Sequence, residues 1–281
     1  MSNLDPLRRA SEEKLARMKS ALAVLDGALV AFSAGVDSTF VLAVAHEVLG
    51  ARAVALTAHS ASVPAAERAE ARSLAARLGV RHLEVESHEQ DDPRYAANPV
   101  DRCFYCKSEL YRLCEQAARA EGLGAVLDGF NADDRRDHRP GHRAAEERAV
   151  RSPLAEAGLT KAEVRAWSEA YELPTWDKPQ MACLASRLPY GTAVTPERLG
   201  QVERAEATLR KLGLRSFRVR YHDAIGRVEV AADEQEHAFA CRAEIAAAVR
   251  DAGFQVAVLD LEPFRSGRLN ELAGVQLPVV G

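Results

Sequence analysis

The sequence has no uninterrupted apolar run of about 18 residues, so it predicts no membrane-spanning helix. It has no basic start followed by an apolar stretch and a cleavage site. Met1–Pro6 is polar and leads into a charged helical segment, which predicts a cytoplasmic protein. Positive charge is not in excess either. Lys and Arg total 37 against 41 Asp and Glu, a net charge of −4, which leaves no general nucleic-acid footprint. Cysteines are few and odd in number, five in 281 residues. Without a secretory signal this argues against a disulfide framework and for thiol or metal chemistry. No Gly-Lys-Ser/Thr follows a glycine-rich loop, and the three-glycine spacing of a dinucleotide site is missing. There is no internal repeat and no low-complexity segment.

What remains is an ordinary soluble composition, 47% hydrophobic and 28% charged. The length suits one large or two smaller domains. Ser11–Leu25 has helical periodicity. Apolar strands are predicted over Ala28–Phe32, Ala53–Thr57, Val80–Val85 and Ala125–Asp128. Between them lie helices ending near Leu49, over Pro64–Leu78 and from about Lys107 to Glu121. Pro64 suits a first helical turn. This alternation predicts an α/β fold, a doubly wound parallel sheet covered by helices. Thr160–Tyr171 reads as a helix opened by the capping box Thr160-Lys161-Ala162-Glu163. After Thr195 the pattern changes to helix (Glu197–Leu212), strands (Ser216–Tyr221, Arg227–Val230), helix (Glu234–Ala252) and strand (Gln255–Leu259). The expected division is residues 1–192, then a smaller α+β domain over 193–281.

The most informative stretch is Phe32-Ser33-Ala34-Gly35-Val36-Asp37-Ser38-Thr39. A strand delivers a loop of small and hydroxyl residues to a helix start, where unpartnered N–H groups and the helix dipole favour anionic oxygens. A simple Ser/Asp helix cap is the plainer alternative. In a doubly wound sheet, ligands sit beyond the carboxyl ends of strands where strand order reverses. The loop after Asp128 is therefore expected beside the loop after Phe32. That loop, Asn131–Gly141, is highly charged. Asp133 or Asp134 is a candidate metal ligand, its arginines candidates to neutralise substrate anions, and a solvated charge run the plainer reading.

Cys103 and Cys106 form a C-x-x-C pair, compatible with zinc, redox chemistry or an iron–sulfur cluster. No second pair completes a four-cysteine zinc site. Cys183 lies in an irregular proline-rich segment. Two readings stay open. Cys103, Cys106 and Cys183 suit a [4Fe–4S] cluster with one open iron; alternatively Cys183 is a persulfide carrier or sulfur donor. Cys114 and Cys241 read as small buried hydrophobes.

Ser33-Ala34-Gly35-Val36-Asp37-Ser38 resembles the PP-loop of the ATP pyrophosphatases, usually Ser-Gly-Gly-X-Asp-Ser, with Ala34 in place of the first glycine. Further markers accompany it: Asp101-Arg102-Cys103-Phe104-Tyr105-Cys106-Lys107, Leu127-Asp128-Gly129, Arg139-Pro140-Gly141, Trp176-Asp177-Lys178-Pro179, Ala182-Cys183-Leu184-Ala185-Ser186-Arg187, Pro189-Tyr190-Gly191-Thr192 and Phe264-Arg265-Ser266-Gly267-Arg268-Leu269-Asn270. Together they resemble, nearly end to end, the LarE family of ATP-dependent sulfur transferases in nickel-pincer nucleotide synthesis.

The resemblance implies adenylation of a carboxylate of pyridinium-3,5-biscarboxylic acid mononucleotide, with sulfur then replacing AMP. It implies ATP and magnesium as partners of Ser33, Ala34, Gly35, Val36, Asp37 and Ser38, and a homo-oligomer, specifically a hexamer. Family members either sacrifice the sulfur of one cysteine or hold a [4Fe–4S] cluster on three. Cys103, Cys106 and Cys183 place this sequence with the cluster type. Cys183 is then the central sulfur-handling residue, with Asp37 and Arg187 as further catalytic candidates. Arg187 is expected to meet substrate or pyrophosphate, or else to form an ordinary ion pair. Trp176 is a candidate to stack on a pyridinium or adenine ring, or a half-buried core residue. Arg218 and Arg220, alternating on a strand, are candidates for the nucleotide phosphate, or members of a solvated sheet face. The rival readings are a tRNA thiolation enzyme, an amide-forming ligase such as the synthetases of NAD or GMP, and a non-catalytic nucleotide-binding module.

Overall fold

A computed structural model describes residues 4–136, 140–179, 182–265, 268 and 271, without the side chains of residues 135, 136 and 140. Asp137–Arg139, Ser266, Gly267, Leu269 and Asn270, all within stretches named above, lie outside the described residues. The first unit runs α1 (Asp5–Ala23), β1 (Ala28–Ala31), α2 (Val36–Leu49), β2 (Ala53–His59), α3 (Ala65–Arg77), β3 (Arg81–Glu86), α4 (Pro93–Ala96), α5 (Arg102–Ala120), β4 (Ala125–Leu127), α6 (Pro140–Glu147), α7 (Pro153–Ala157) and α8 (Lys161–Ala170). The second adds α9 (Pro196–Lys211), β5 (Phe217–His222), β6 (Ile225–Val230), α10 (Gln235–Ala240), α11 (Arg242–Asp251) and β7 (Val256–Leu259).

The first sheet is parallel throughout, in the order β3-β2-β1-β4. Val30 of β1 stands level with Ala55 of β2 and Leu127 of β4. Both faces are covered, which is why β1 is apolar at every position. Ala28 and Val30 pack on one face with residues of α1, α2 and α3, while Leu29 and Ala31 pack on the other with Tyr111 and Cys114 of α5 and Ala144 of α6. Cys114 is fully buried there, the small hydrophobe expected. Because β2 and β4 flank β1 on opposite sides, the strand order reverses at β1. Its carboxyl end is the crevice where such folds bind ligands.

The loop after β4 does lie beside the loop after β1. A Cβ on Gly129 would stand 2.9 Å from the Ser38 amide nitrogen and 3.1 Å from the Asp37 Cβ, so the two backbones touch.

The smaller sheet has the order β5-β6-β7, with β5–β6 antiparallel and β6–β7 parallel. Its core recruits Tyr95, Leu184, Ala185, Leu188 and Val194 from the preceding chain, so the proline-rich segment around Cys183 is packed into the second unit.

Several elements differ from expectation. Helix α5 begins at Arg102, so Cys103 and Cys106 share its first turns and are not in the preceding loop. Pro64 is the residue before α3, with an extended ψ of 143°. The helix expected over Glu234–Ala252 is broken at Cys241, which ends α10 and precedes α11. Cys241 is partly exposed rather than buried. No glycine or proline marks that break, and composition could not reveal it. In the charged loop, Asp133–Arg136 forms a 3₁₀ turn and α6 starts at Pro140. Among the described residues no helix is long and apolar enough to cross a membrane.

The Gly129 contact predicts that Gly129→Ala lowers stability by about 1–3 kcal/mol through overpacking against the start of α2. The measurement is the denaturant midpoint, and nucleotide binding should weaken in parallel.

Candidate active site

The loop from Phe32 to Gly35 turns sharply because Ala34 adopts a left-handed backbone, φ 54°, while fully buried. An L-residue with a Cβ is disfavoured there, so the surroundings must hold it. The Lys178 ammonium donates to the Ala34 carbonyl at 3.2 Å and is itself neutralised by Glu67 at 2.9 Å and Glu70 at 2.8 Å, both on α3. Below, the Thr57 hydroxyl donates to the Phe32 carbonyl at 2.8 Å. Within the loop the Ser33 and Ser38 hydroxyls meet at 3.1 Å, and the Ser33 N–H donates to Ser38 Oγ at 3.3 Å. Gly35 precedes α2, and Val36, Asp37 and Ser38 form its first turn. The loop therefore aims hydroxyls and a helix N-terminus at one point, as phosphate recognition requires.

Asp37 is partly exposed and ion-paired with Lys161, the first residue of α8. Asn131, after β4, donates to Asp37 Oδ1 at 3.5 Å. Asp133 accepts from the Lys161 N–H at 2.8 Å, and Asp134 accepts from the Asn131 N–H at 3.0 Å. Asp133 and Asp134, either of which was a candidate metal ligand, thus each accept from a backbone N–H. The capping box predicted at Thr160 is present, with Glu163. Sequence reasoning missed Lys161 because it read the residue only as filler in that motif.

Cys103, Cys106 and Cys183 lie within electrostatic reach of one another. Burial pushes the Cys106 and Cys103 thiols up; proximity to Cys183 adds to both, and Arg102 and Lys107 oppose the shift at Cys103. Cys103 is nevertheless solvent-exposed, the combination expected on the wall of a cleft. Glu89, itself buried, further disfavours a Cys106 thiolate. Tyr95 walls the group, and burial with the adjoining Cys183 and Cys106 pushes its hydroxyl well above its ordinary value. Among the described residues no three His, Cys, Asp or Glu side chains are arranged to hold a metal ion. The three soft sulfur donors nonetheless fit an iron–sulfur cluster in chemical type.

The Cys183 backbone is pinned from three directions. The Leu184 N–H donates to Ser62 O at 2.9 Å, in the loop after β2. Arg102 donates to Ala185 O at 3.2 Å and to the buried Asn98 side chain. Asn98 in turn donates to Pro189 O at 2.8 Å and Thr192 O at 2.9 Å.

The third anchor is Arg187. Expected to meet a substrate anion, it is instead 0% exposed. Its guanidinium forms a bidentate pair with Glu206 of α9, at 2.8 and 2.9 Å. It also donates to Ala182 O at 2.6 Å, Cys183 O at 3.1 Å and Ser186 Oγ at 3.0 Å. It is a positioning residue for Cys183, and the ordinary surface ion pair is excluded as well.

Arg218 and Arg220 do not line a solvated face. Both are buried. Arg220 donates to Glu229 at 2.8 Å and to Ser186 O at 2.9 Å. Arg218 donates to Phe217 O at 2.7 Å and lies over the Phe264 ring at 4.8 Å. Burial and then the neighbouring Arg187 push its pKa down to about 10, against the opposing influence of Glu206. Trp176 is 38% exposed, and Arg165 donates to its carbonyl at 2.6 Å.

A reversing parallel sheet with this loop at its crevice defines a PP-loop nucleotide-binding protein. The family model described as asparagine synthase matches residues 25–232. A protein of Synechocystis sp., described only as uncharacterized, is 45% identical over 264 residues, covering 93% of this chain and 98% of its own. The pyridinium-3,5-bisthiocarboxylic acid mononucleotide synthase of Lactiplantibacillus plantarum is 37% identical over 259 residues, 92% of this chain and 94% of its own. An uncharacterized protein of Methanocaldococcus jannaschii is 29% identical over 169 residues, 60% of this chain and 66% of its own. The chain belongs to the LarE family of PP-loop proteins.

Two outcomes follow from the geometry. Ala34→Gly removes a left-handed strain of about 1–2 kcal/mol, so ATP-dependent activity should be retained or raised; a large loss would mean that the loop needs its methyl group. Arg187→Met strands the buried Glu206 and should cost about 3–5 kcal/mol in an unfolding titration, whereas Arg187→Met with Glu206→Leu should cost less.

Proposed function

We propose that this chain is an ATP-dependent sulfur transferase that converts a carboxylate of pyridinium-3,5-biscarboxylic acid mononucleotide into a thiocarboxylate. The observation that carries the reading is the placement of Cys183 beside the carboxyl ends of the strands that present the phosphate loop. A loop anchored on Ser62 after β2 adjoins a loop after β1. The name and extent of the Lactiplantibacillus relative support the choice of substrate.

In the first step a substrate carboxylate oxygen attacks the α-phosphorus of ATP. The α–β bridging P–O bond breaks, and pyrophosphate leaves from the cradle of Ser33, Ser38 and the α2 N-terminus. In the second step a sulfur nucleophile attacks the acyl carbon; the C–O bond to AMP breaks and AMP leaves with the electron pair. Asp37 is the residue that would hold magnesium, a role suited to a partly exposed carboxylate at the loop. Trp176 is assigned to an aromatic ring of substrate or nucleotide. Arg218 and Arg220 are assigned to supplying a positive field for the substrate phosphate, Arg220 from within its pair with Glu229. Cys103, Cys106 and Cys183 are the residues that would hold a [4Fe–4S] cluster. Such a cluster, when bound, supplies sulfur without consuming a cysteine. Arg102 and Lys107 place compensating positive charge beside Cys103. A cytoplasmic homo-oligomer, a hexamer as in the family resemblance, completes the reading.

ATP with the carboxylated nucleotide should release pyrophosphate, and equal release without that nucleotide would overturn the assignment. Cys183→Ala should keep pyrophosphate release but form no thiocarboxylate. Anaerobic reconstitution should give about four irons per chain, lost in Cys103→Ala or Cys106→Ala. Unchanged iron content there would sink the cluster. Intact mass after turnover distinguishes the sacrificial route, which leaves Cys183 without its sulfur.

A further inference from the structure

Helix α5 carries Cys103 and Cys106 in its first turns, and further along it buries Tyr111 completely. The Tyr111 hydroxyl donates to Asp128 Oδ2 at 2.8 Å, just after β4. The Asp128 side chain is buried too. Its other oxygen accepts from Ser152 Oγ at 2.7 Å and from the Phe130 N–H at 3.1 Å. The Lys107 ammonium, one residue past Cys106, lies over the Tyr111 ring at 5.7 Å. The reaction assigned above uses neither Tyr111 nor Asp128.

Beyond Asp128 the chain runs directly against the phosphate loop. Gly129 abuts the start of α2, where an added Cβ would stand 2.9 Å from the Ser38 amide nitrogen. Asn131 donates to Asp37 Oδ1 at 3.5 Å. One carboxylate therefore fastens the helix that bears two cysteines to the residues that back the phosphate loop. We propose that Tyr111 is a positioning residue: through Asp128 it holds the cysteine-bearing end of α5 in register with the phosphate loop, so that nucleotide binding at the loop is felt at Cys103. The proposal rests on the reading of that loop as the ATP site.

The link is short and stiff. At 1.5 Å per helical residue, Cys106 lies about 7.5 Å and Cys103 about 12 Å along the axis from Tyr111. Bonds from a hydroxyl to a carboxylate are charge-assisted, and a buried carboxylate that loses a donor is heavily penalised. A shift of Gly129 therefore draws Asp128 along, and Asp128 draws Tyr111. The other contacts between the start of α5 and the chain beyond β4 are packing and ring contacts, Gly141 against Lys107 and Arg143 over the Phe104 ring at 3.9 Å. Among the described residues, Tyr111 to Asp128 is the hydrogen bond that joins α5 to residues 128–131.

Alkylation of the solvent-exposed Cys103 by iodoacetamide, read at its own peptide by mass spectrometry, tests this on the full, reduced, iron-free chain. In wild type, saturating ATP with magnesium should change the Cys103 rate about fivefold or more. In Tyr111→Phe, which keeps the ring, ATP should leave that rate within about twofold, while calorimetric ATP affinity stays within about threefold of wild type. Ser152→Ala removes a donor from the same carboxylate on the α7 side and should keep the wild-type response. A response that survives in Tyr111→Phe would mean that nucleotide merely shields the thiol. Equal loss in Ser152→Ala would mean general loosening of the fold. Either result overturns the proposal, as does a wild-type chain that binds ATP with no change at Cys103. A wild-type chain that does not bind ATP would bring down the ATP reading and this one together.

Discussion

The placement of Cys183 depends on one buried guanidinium. A charge taken out of water is tolerable only when its donors are engaged. Arg187 meets that demand with the carboxylate of Glu206 and with oxygens of Ala182, Cys183 and Ser186. Glu206 also accepts the Val219 N–H at 3.0 Å, so the same carboxylate grips β5. Arg220 reaches from that strand to Ser186 O. The short segment carrying Cys183 is thereby a part of the second unit's framework, although it precedes that unit in the chain. Its other side is bonded to Ser62 and Arg102, which belong to the first unit. The cysteine is fixed where the two units meet.

That location separates two electrostatic tasks while keeping them close. At the phosphate loop, positive potential comes from the N-terminus of α2 and from Lys161, which is paired with Asp37. At the cysteines, burial and the mutual approach of thiols disfavour thiolates, and Arg102 and Lys107 work against that cost. Adjacent parallel strands lie about 4.8 Å apart. Loops leaving β1 and β2 at the same sheet edge can therefore serve one bound molecule, the first holding pyrophosphate and the second, through Ser62, steadying the sulfur-bearing segment.

Much of this was legible in the sequence, for reasons that are local. The phosphate loop is a contiguous pattern, the strand–helix alternation follows from apolar runs broken by Gly79 and Gly129, and Thr160-Lys161-Ala162-Glu163 encodes its own cap. The side-chain roles of Arg187, Arg218 and Arg220 were not legible. Each depends on what covers it, namely Glu206, Phe264 and Glu229. An arginine at a motif edge or alternating along a strand reads as solvated until its distant carboxylate is placed. Lys161 was hidden differently: its neighbours explained the helix cap so well that the side chain itself went unread. The convergence of Cys103 and Cys106 with Cys183 was readable as a composition of soft ligands. The means of convergence was not, because it runs through Asn98, whose left-handed backbone (φ 56°) and four-way bonding have no sequence signature.

Ala34 shows how the two sites are mechanically one. A glycine there could adopt a positive φ unaided, whereas alanine must be held. The holding group is Lys178, which sits in the same irregular segment that leads to Cys183, and its carbonyl is bound by Arg165 at 2.8 Å. The strained loop and the sulfur-bearing segment thus share an anchor: moving the segment away would remove the donor on the Ala34 carbonyl, and relaxing Ala34 would remove an acceptor from Lys178. Glu67 and Glu70 would still hold the ammonium, so the coupling resides in the orientation of the 33–35 loop, not in the survival of an ion pair. An alanine at this position makes the phosphate loop dependent on the segment that leads to Cys183, which a glycine would leave independent.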